Sequence, residues 1–126
     1  MNIETIELIV IIGHLLLGGL FVVAGVRHFF IMPMIVDAVG KRGIPFPKLV
    51  ILAGTIFQLI AGICLAFGFY ATYAAAGLIG FTLAASVMLL NFWDMQDQDK
   101  KNAISTWQTN LAIIGGLLIA VAQVAS

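Results

Sequence analysis

Four stretches of predominantly apolar residues, at about 6–30, 49–69, 72–93 and 105–124, dominate the sequence. Each can cross a hydrocarbon core of about 30 Å, which takes about 20 residues of helix. The sequence therefore predicts an all-α fold, a four-helix transmembrane bundle in up-down-up-down order, as one domain over 1–126. At 62% hydrophobic and 10% charged residues the chain lies far from a soluble domain, where roughly a quarter of residues are charged, so a cytosolic protein is excluded. The chain begins with Glu4 and Glu7 rather than the basic start of a cleaved signal, and the first span runs on too long for one.

The same composition removes several functions. Six Lys plus Arg balance six Asp plus Glu, which leaves no basic surface for nucleic acid. The single cysteine, Cys64, allows neither a disulfide framework nor a Cys cluster. No metal site is expected, because H-E-x-x-H, paired membrane carboxylates and His/Cys clusters are all missing from the sequence. His14 and His28 lie on one helix about 21 Å apart, so they cannot ligate one haem iron from opposite sides within a chain. No Asp or Glu stands in the interior of a span, which serves a proton pump poorly, and no catalytic motif is assigned.

The connections set the topology. Between the second and third spans only 68–72 is available, with Gly68 as a helix terminator and Tyr70 at the interface, so these spans form an antiparallel hairpin. Pro47 suits the first turn of the second span. In the first loop, 34–39 reads as a short helix on the membrane surface, broken by 40–43, and the third loop, 94–103, reads as a solvated connection. Arg27, Lys41, Arg42, Lys48, Lys100 and Lys101 all fall at the first and third loops. The positive-inside rule then places both termini outside the cytoplasm. Arg27, about 200° round the helix from Gly25, is expected to point away from the bundle centre toward lipid phosphate. Trp93 and Trp107 are expected as interface anchors.

Helices in lipid associate through small residues and hydrogen bonds. His14, Gly18, Phe21, Gly25 and His28 recur at steps of 4, 3, 4 and 3 and define one seam of the first span. Gly54, Gln58, Ala61 and Gly62 repeat the pattern in the second, and Gly77, Gly80, Ala84, Val87 and Asn91 in the third. Ala112, Gly116 and Ala120 form a stripe in the fourth, the candidate homodimer contact. Polar groups at membrane depth face protein or water, so His28, Gln58 and Asn91 are the candidate ligand-binding residues of a polar pocket, the competing reading being an interhelical hydrogen-bond network.

The runs FVVAGVRHF at 21–29, GIPFP at 43–47, QLIAG at 58–62 with Leu65 and Gly68, NFWD at 91–94 and NLAIIGGLL at 110–118 together resemble the DoxX family of small four-helix membrane proteins. The resemblance implies a protein of the prokaryotic inner membrane, in a family named after a subunit of a thiosulfate:quinone oxidoreductase. It implies that His28 supplies the basic residue found three positions after the glycine near the end of the first span. Gln58 stands where the family commonly has Glu, which removes the membrane carboxylate a proton relay would use. Tyr73 and Thr109 replace family Arg and Lys, which removes charge that an oxyanion would need. The expectation is an accessory or anchoring subunit of a quinone-linked redox system, with quinone as ligand, lipid around it and a redox partner subunit beside it. Two alternatives stay open: a small-molecule transport or binding module, and a purely structural membrane partner subunit.

Overall fold

The computed structural model describes residues 2–125, with side chains described as far as Gln123. Met1 and Ser126, the ends of the expected single domain, lie outside the described residues. The elements are α1 (Ile3–Phe30), α2 (Met32–Lys41), α3 (Pro47–Phe67), α4 (Ala71–Leu89), a 3-10 turn (Phe92–Asp94) and α5 (Asp97–Ala125). α1, α3, α4 with its following turn, and α5 are each long and apolar enough to span a membrane. Among the described residues there is no strand. The expected all-α four-helix bundle is what the chain forms.

Local chemistry explains the helix ends. Asn2 Oδ1 accepts the Thr5 amide at 2.8 Å and caps α1. Pro47 stands in the first turn of α3, where its missing N–H costs nothing. Gly68 ends α3 at φ 74, a left-handed conformation open to glycine without a Cβ penalty. Its amide and that of Phe69 return to Leu65 and Cys64 carbonyls at 3.2 and 2.8 Å, satisfying two of the last free acceptors. The hairpin that follows is as tight as the sequence requires.

α1 packs most extensively on α3, followed by α4 on α5 and α3 on α4, whereas α1 and α5 touch only lightly. The closest approach is between α1 and α3. A Cβ placed on Gly18 would lie 2.5 Å from both Ala66 N and Gly62 O, so the two backbones are in direct contact there. Lipid supplies no hydrophobic drive to bring helices together, and this close approach gives the dispersion contact that does. Phe21, Ala61, Leu65, Ala71, Ala74, Ala75, Leu78, Leu117 and Ala120 form the core. It fills the half of the bundle remote from the basic residues. Large aliphatic side chains such as Leu8, Leu16, Val23, Ile60 and Ile119 are exposed on the outside, the surface that lipid covers.

α2 is the short helix expected in the first loop, two residues longer at each end. Val39 is fully buried, whereas Met34 is exposed and Asp37 pairs with Lys41 at 3.1 Å on the open face. The third loop differs from the sequence reading: α5 begins at Asp97, so most of 94–103 is helical. Asp97 and Asp99 in the first turn complement the helix dipole, Gln98 donates to Asn102 at 2.8 Å, and Ala103 is buried. In the third span the regular helix stops at Leu89, and a 3-10 turn carries the span on to Asp94. Its buried face is Ala71, Ala74, Ala75, Leu78, Thr82 and Ser86, and Gly80, Ala84 and Val87 of the anticipated seam are exposed. In α5, Leu117 and Ala120 are buried and Gly116 half-buried, while Ala112 is exposed. Gly116 faces Leu17 of α1 in the same chain, so two members of the anticipated homodimer stripe are engaged within the bundle.

Candidate functional site

In the half of the bundle nearest the basic residues the helices diverge and enclose a cavity of about 660 Å3. Its walls come from all four spans, with Ile35 of α2 closing one side. Most of the lining is aliphatic or aromatic, including Leu20, Ile51, Phe81, Met88 and Ile113. Set into it are Arg27, His28, Thr55, Gln58, Thr82, Thr106, Thr109 and Asn110. The core residues Phe21 and Ala61 lie beneath, so Gln58, about 15 Å along α3 from its basic end, forms the floor.

Each polar group has a definite position. Half-buried His28 brings Nδ1 to 3.3 Å from Thr55 Oγ1 of α3, the ring's tautomer deciding which of them donates. Gln58 is 2% exposed, and its Nε2 donates to the Phe21 carbonyl of α1 at 2.9 Å. Because that partner is an acceptor, the amide orientation is fixed, and Oε1 is left without a hydrogen-bond partner among the described residues. Across the cavity Asn110 Nδ2 donates to Ser86 Oγ at 2.8 Å, and Ser86 Oγ donates to the Thr82 carbonyl at 2.7 Å. Thr82 Oγ1 is the second buried oxygen without a partner among the described residues.

Of the three residues expected at the pocket, the structure brings His28 and Gln58 together and leaves Asn91 out. Asn91 lies beyond the end of α4, where its side chain donates to Asp94 at 3.5 Å, and it does not line the cavity. Arg27 is exposed as expected, but it stands at the cavity rim rather than wholly away from the bundle. Trp107, expected as an interface anchor, makes contacts within the bundle. Its indole N–H donates to the Leu90 carbonyl at 2.7 Å and stacks edge-on with Phe92, pinning α5 to the end of α4.

Thr55, Thr82, Ser86 and Asn110 were not singled out from the sequence. Thr82 and Ser86, and likewise Thr106 and Asn110, recur at a spacing of four, which is the signal that marks a shared helix face.

A second, shallower groove of about 390 Å3 lies where α1 and α5 meet, bordered by Gly13, His14, Leu17, Gly116 and Ala120. His14 is buried and turns its Nδ1 back to the Val10 carbonyl at 2.8 Å. Among the described residues no group of three or more His, Cys, Asp or Glu side chains could hold a metal ion.

Fold and site together define a polytopic helical membrane protein with an internal, largely apolar cavity whose lining reaches Arg27 and His28 at the basic end. The DoxX family model matches residues 9–91, about two thirds of the chain, and the chain belongs to that family. No curated protein and no solved structure matches it. The matched region supplies His28, Thr55, Gln58 and Thr82; the wall built by α5, with Thr106, Thr109 and Asn110, lies beyond it.

Proposed function

We propose that this DoxX-family protein is the membrane-embedded subunit of a quinone-linked redox system and holds a quinone-type lipophile in the cavity between its helices. The observation that carries the reading is the cavity itself, about 660 Å3 of mainly apolar surface with His28 and Gln58 set at different depths. That volume falls in the range of small-molecule sites, roughly 300–1,000 Å3, where an apolar wall provides affinity and a few polar groups fix orientation. The charge pattern supports a neutral ligand. Gln58 puts an uncharged amide at the floor, and among the described residues Arg27 is the one Lys or Arg in the lining. A ring bearing oxygen substituents can meet His28 near the rim and Gln58 at the floor, while its apolar tail lies along the walls.

In this reading the protein sits in a prokaryotic inner membrane with its basic end, and the cavity with it, toward the cytoplasm. Chemistry on the ligand belongs to a partner subunit docked at that face. Organic extraction of the protein purified in mild detergent, followed by mass spectrometry, tests the assignment. A stoichiometric quinone-type molecule is the expected result. A different metabolite would make the protein a transport or binding module, and lipid alone would leave the cavity a packing feature of a structural subunit.

A further inference from the structure

The polar groups around the cavity divide into those already satisfied and those still open. Ser86 is saturated, donating to the Thr82 carbonyl and accepting from Asn110. Thr106 and Thr109 turn their hydroxyls back onto their own helix, to the Asn102 and Ser105 carbonyls at 3.0 and 3.2 Å. His28 and Thr55 serve each other. Of the oxygens in the lining, Gln58 Oε1 and Thr82 Oγ1 are buried and without partners among the described residues, on adjacent helices. Gln58 is 2% exposed and Thr82 6%. Both residues line the same cavity, Gln58 from α3 and Thr82 from α4. Buried oxygens of this kind are paired in the great majority of proteins, and leaving one unpaired is costly.

The two differ in what they require. With Nε2 committed to Phe21, Gln58 offers only an acceptor, while Thr82 offers both a donor and an acceptor. A carbonyl can accept from Thr82 but leaves Gln58 unanswered. A hydroxyl can donate to Gln58 Oε1 and accept from Thr82 at once. We propose that the floor of the cavity selects a lipophile whose buried end is a hydroxyl, such as the reduced, phenolic form of a quinone, over one ending in a carbonyl or ether. This inference rests on the small-molecule reading of the cavity and adds a preference for one functional group to it.

The test uses the full chain in lipid nanodiscs and three probes on one scaffold: a decyl-substituted benzoquinol kept reduced without oxygen, the matching benzoquinone, and the bis-methyl ether of the quinol. Binding is measured against protein-free discs to remove partitioning. The wild type should bind the quinol about tenfold or more tightly than the quinone or the ether. Gln58→Leu removes the unanswered acceptor, and the preference should collapse. Thr82→Val removes the donor a carbonyl would use at the floor, so it should weaken the quinone more than the quinol and widen the preference. That second variant keeps the test readable if Gln58→Leu fails to fold. Equal binding of quinol and quinone by the wild type, a preference that survives Gln58→Leu, or one that narrows in Thr82→Val would overturn the selection while leaving the cavity a ligand site. No binding of any probe above the empty discs would remove the ligand reading and the selection together.

Discussion

Gly18 illustrates how a single hydrogen atom can determine helix packing in a membrane. Its missing side chain lets α1 lie on the α3 backbone, and the atoms a Cβ would strike are Ala66 N and Gly62 O at 2.5 Å, which cannot turn aside as a side chain can. Gly18→Ala should therefore part the two helices and cost about 1–3 kcal/mol, the usual penalty of overpacking. Gly19→Ala, one residue away with nothing within 4 Å of the added methyl, should leave thermal stability nearly unchanged. Melting both variants in one detergent checks the contrast, and equal losses would contradict it. At this scale the sequence was informative where a seam combined small and polar residues at regular steps: His14, Gly18, Phe21 and Gly25 are all buried, as are Gln58, Ala61 and Gly62. It was silent on Thr55 and Thr82, because a threonine in a helix ordinarily satisfies its hydroxyl on its own backbone and carries no signal when it does not.

Among the elements, α2 has the most specific duty. Ile35 lines the cavity, Val39 is fully buried, and Arg42 just beyond the helix donates its Nε–H to the Met88 carbonyl of α4 at 3.0 Å, with Asp94 at 3.7 Å. The carbonyl bond is the firmer of the two, since Asp94 is largely exposed and surface ion pairs contribute little. Arg42→Ala should raise amide hydrogen exchange in α2 and leave α3 and the body of α4 unchanged, and Arg42→Lys should not restore protection because it lacks the Nε–H. Asp94→Asn should have a smaller effect. If Asp94→Asn matched or exceeded Arg42→Ala, the ion pair rather than the carbonyl bond would be holding α2. Element ends were the least legible part of the sequence. Asn91 appeared to continue the third span, but α4 stops at Leu89, and the polar run before residue 105 is helical because its acidic residues suit a helix N-terminus. α4 is small and apolar on nearly every side, so steps of three and four among its glycines and alanines could not pick out the buried face.

Across the whole molecule, the weak contact between α1 and α5 and the strong one between α1 and α3 give a bundle that is close-packed at one end and open at the other. Gly116 meets Leu17 at an ordinary 3.8 Å, so Gly116→Ala should be tolerated, while Gly116→Leu should strain the seam with α1 and lower the melting temperature whatever the oligomeric state. Topology can be read separately. With both termini outside, a cysteine at position 122 in a Cys64→Ala background should react with an impermeant reagent in intact cells, and one at position 98 only after permeabilisation. The reverse pattern would move the cavity mouth to the other face. The proposed function requires that His28 and Gln58 serve a ligand rather than helix packing. Quantifying extracted ligand and melting temperature on the same preparations of wild type, His28→Ala and Gln58→Leu tests it most directly. Ligand content should fall severalfold in both variants with little change in melting temperature, because truncating an interhelical polar contact costs only about 0.6 kcal/mol on average. Unchanged ligand content together with clearly lower melting temperatures would contradict it.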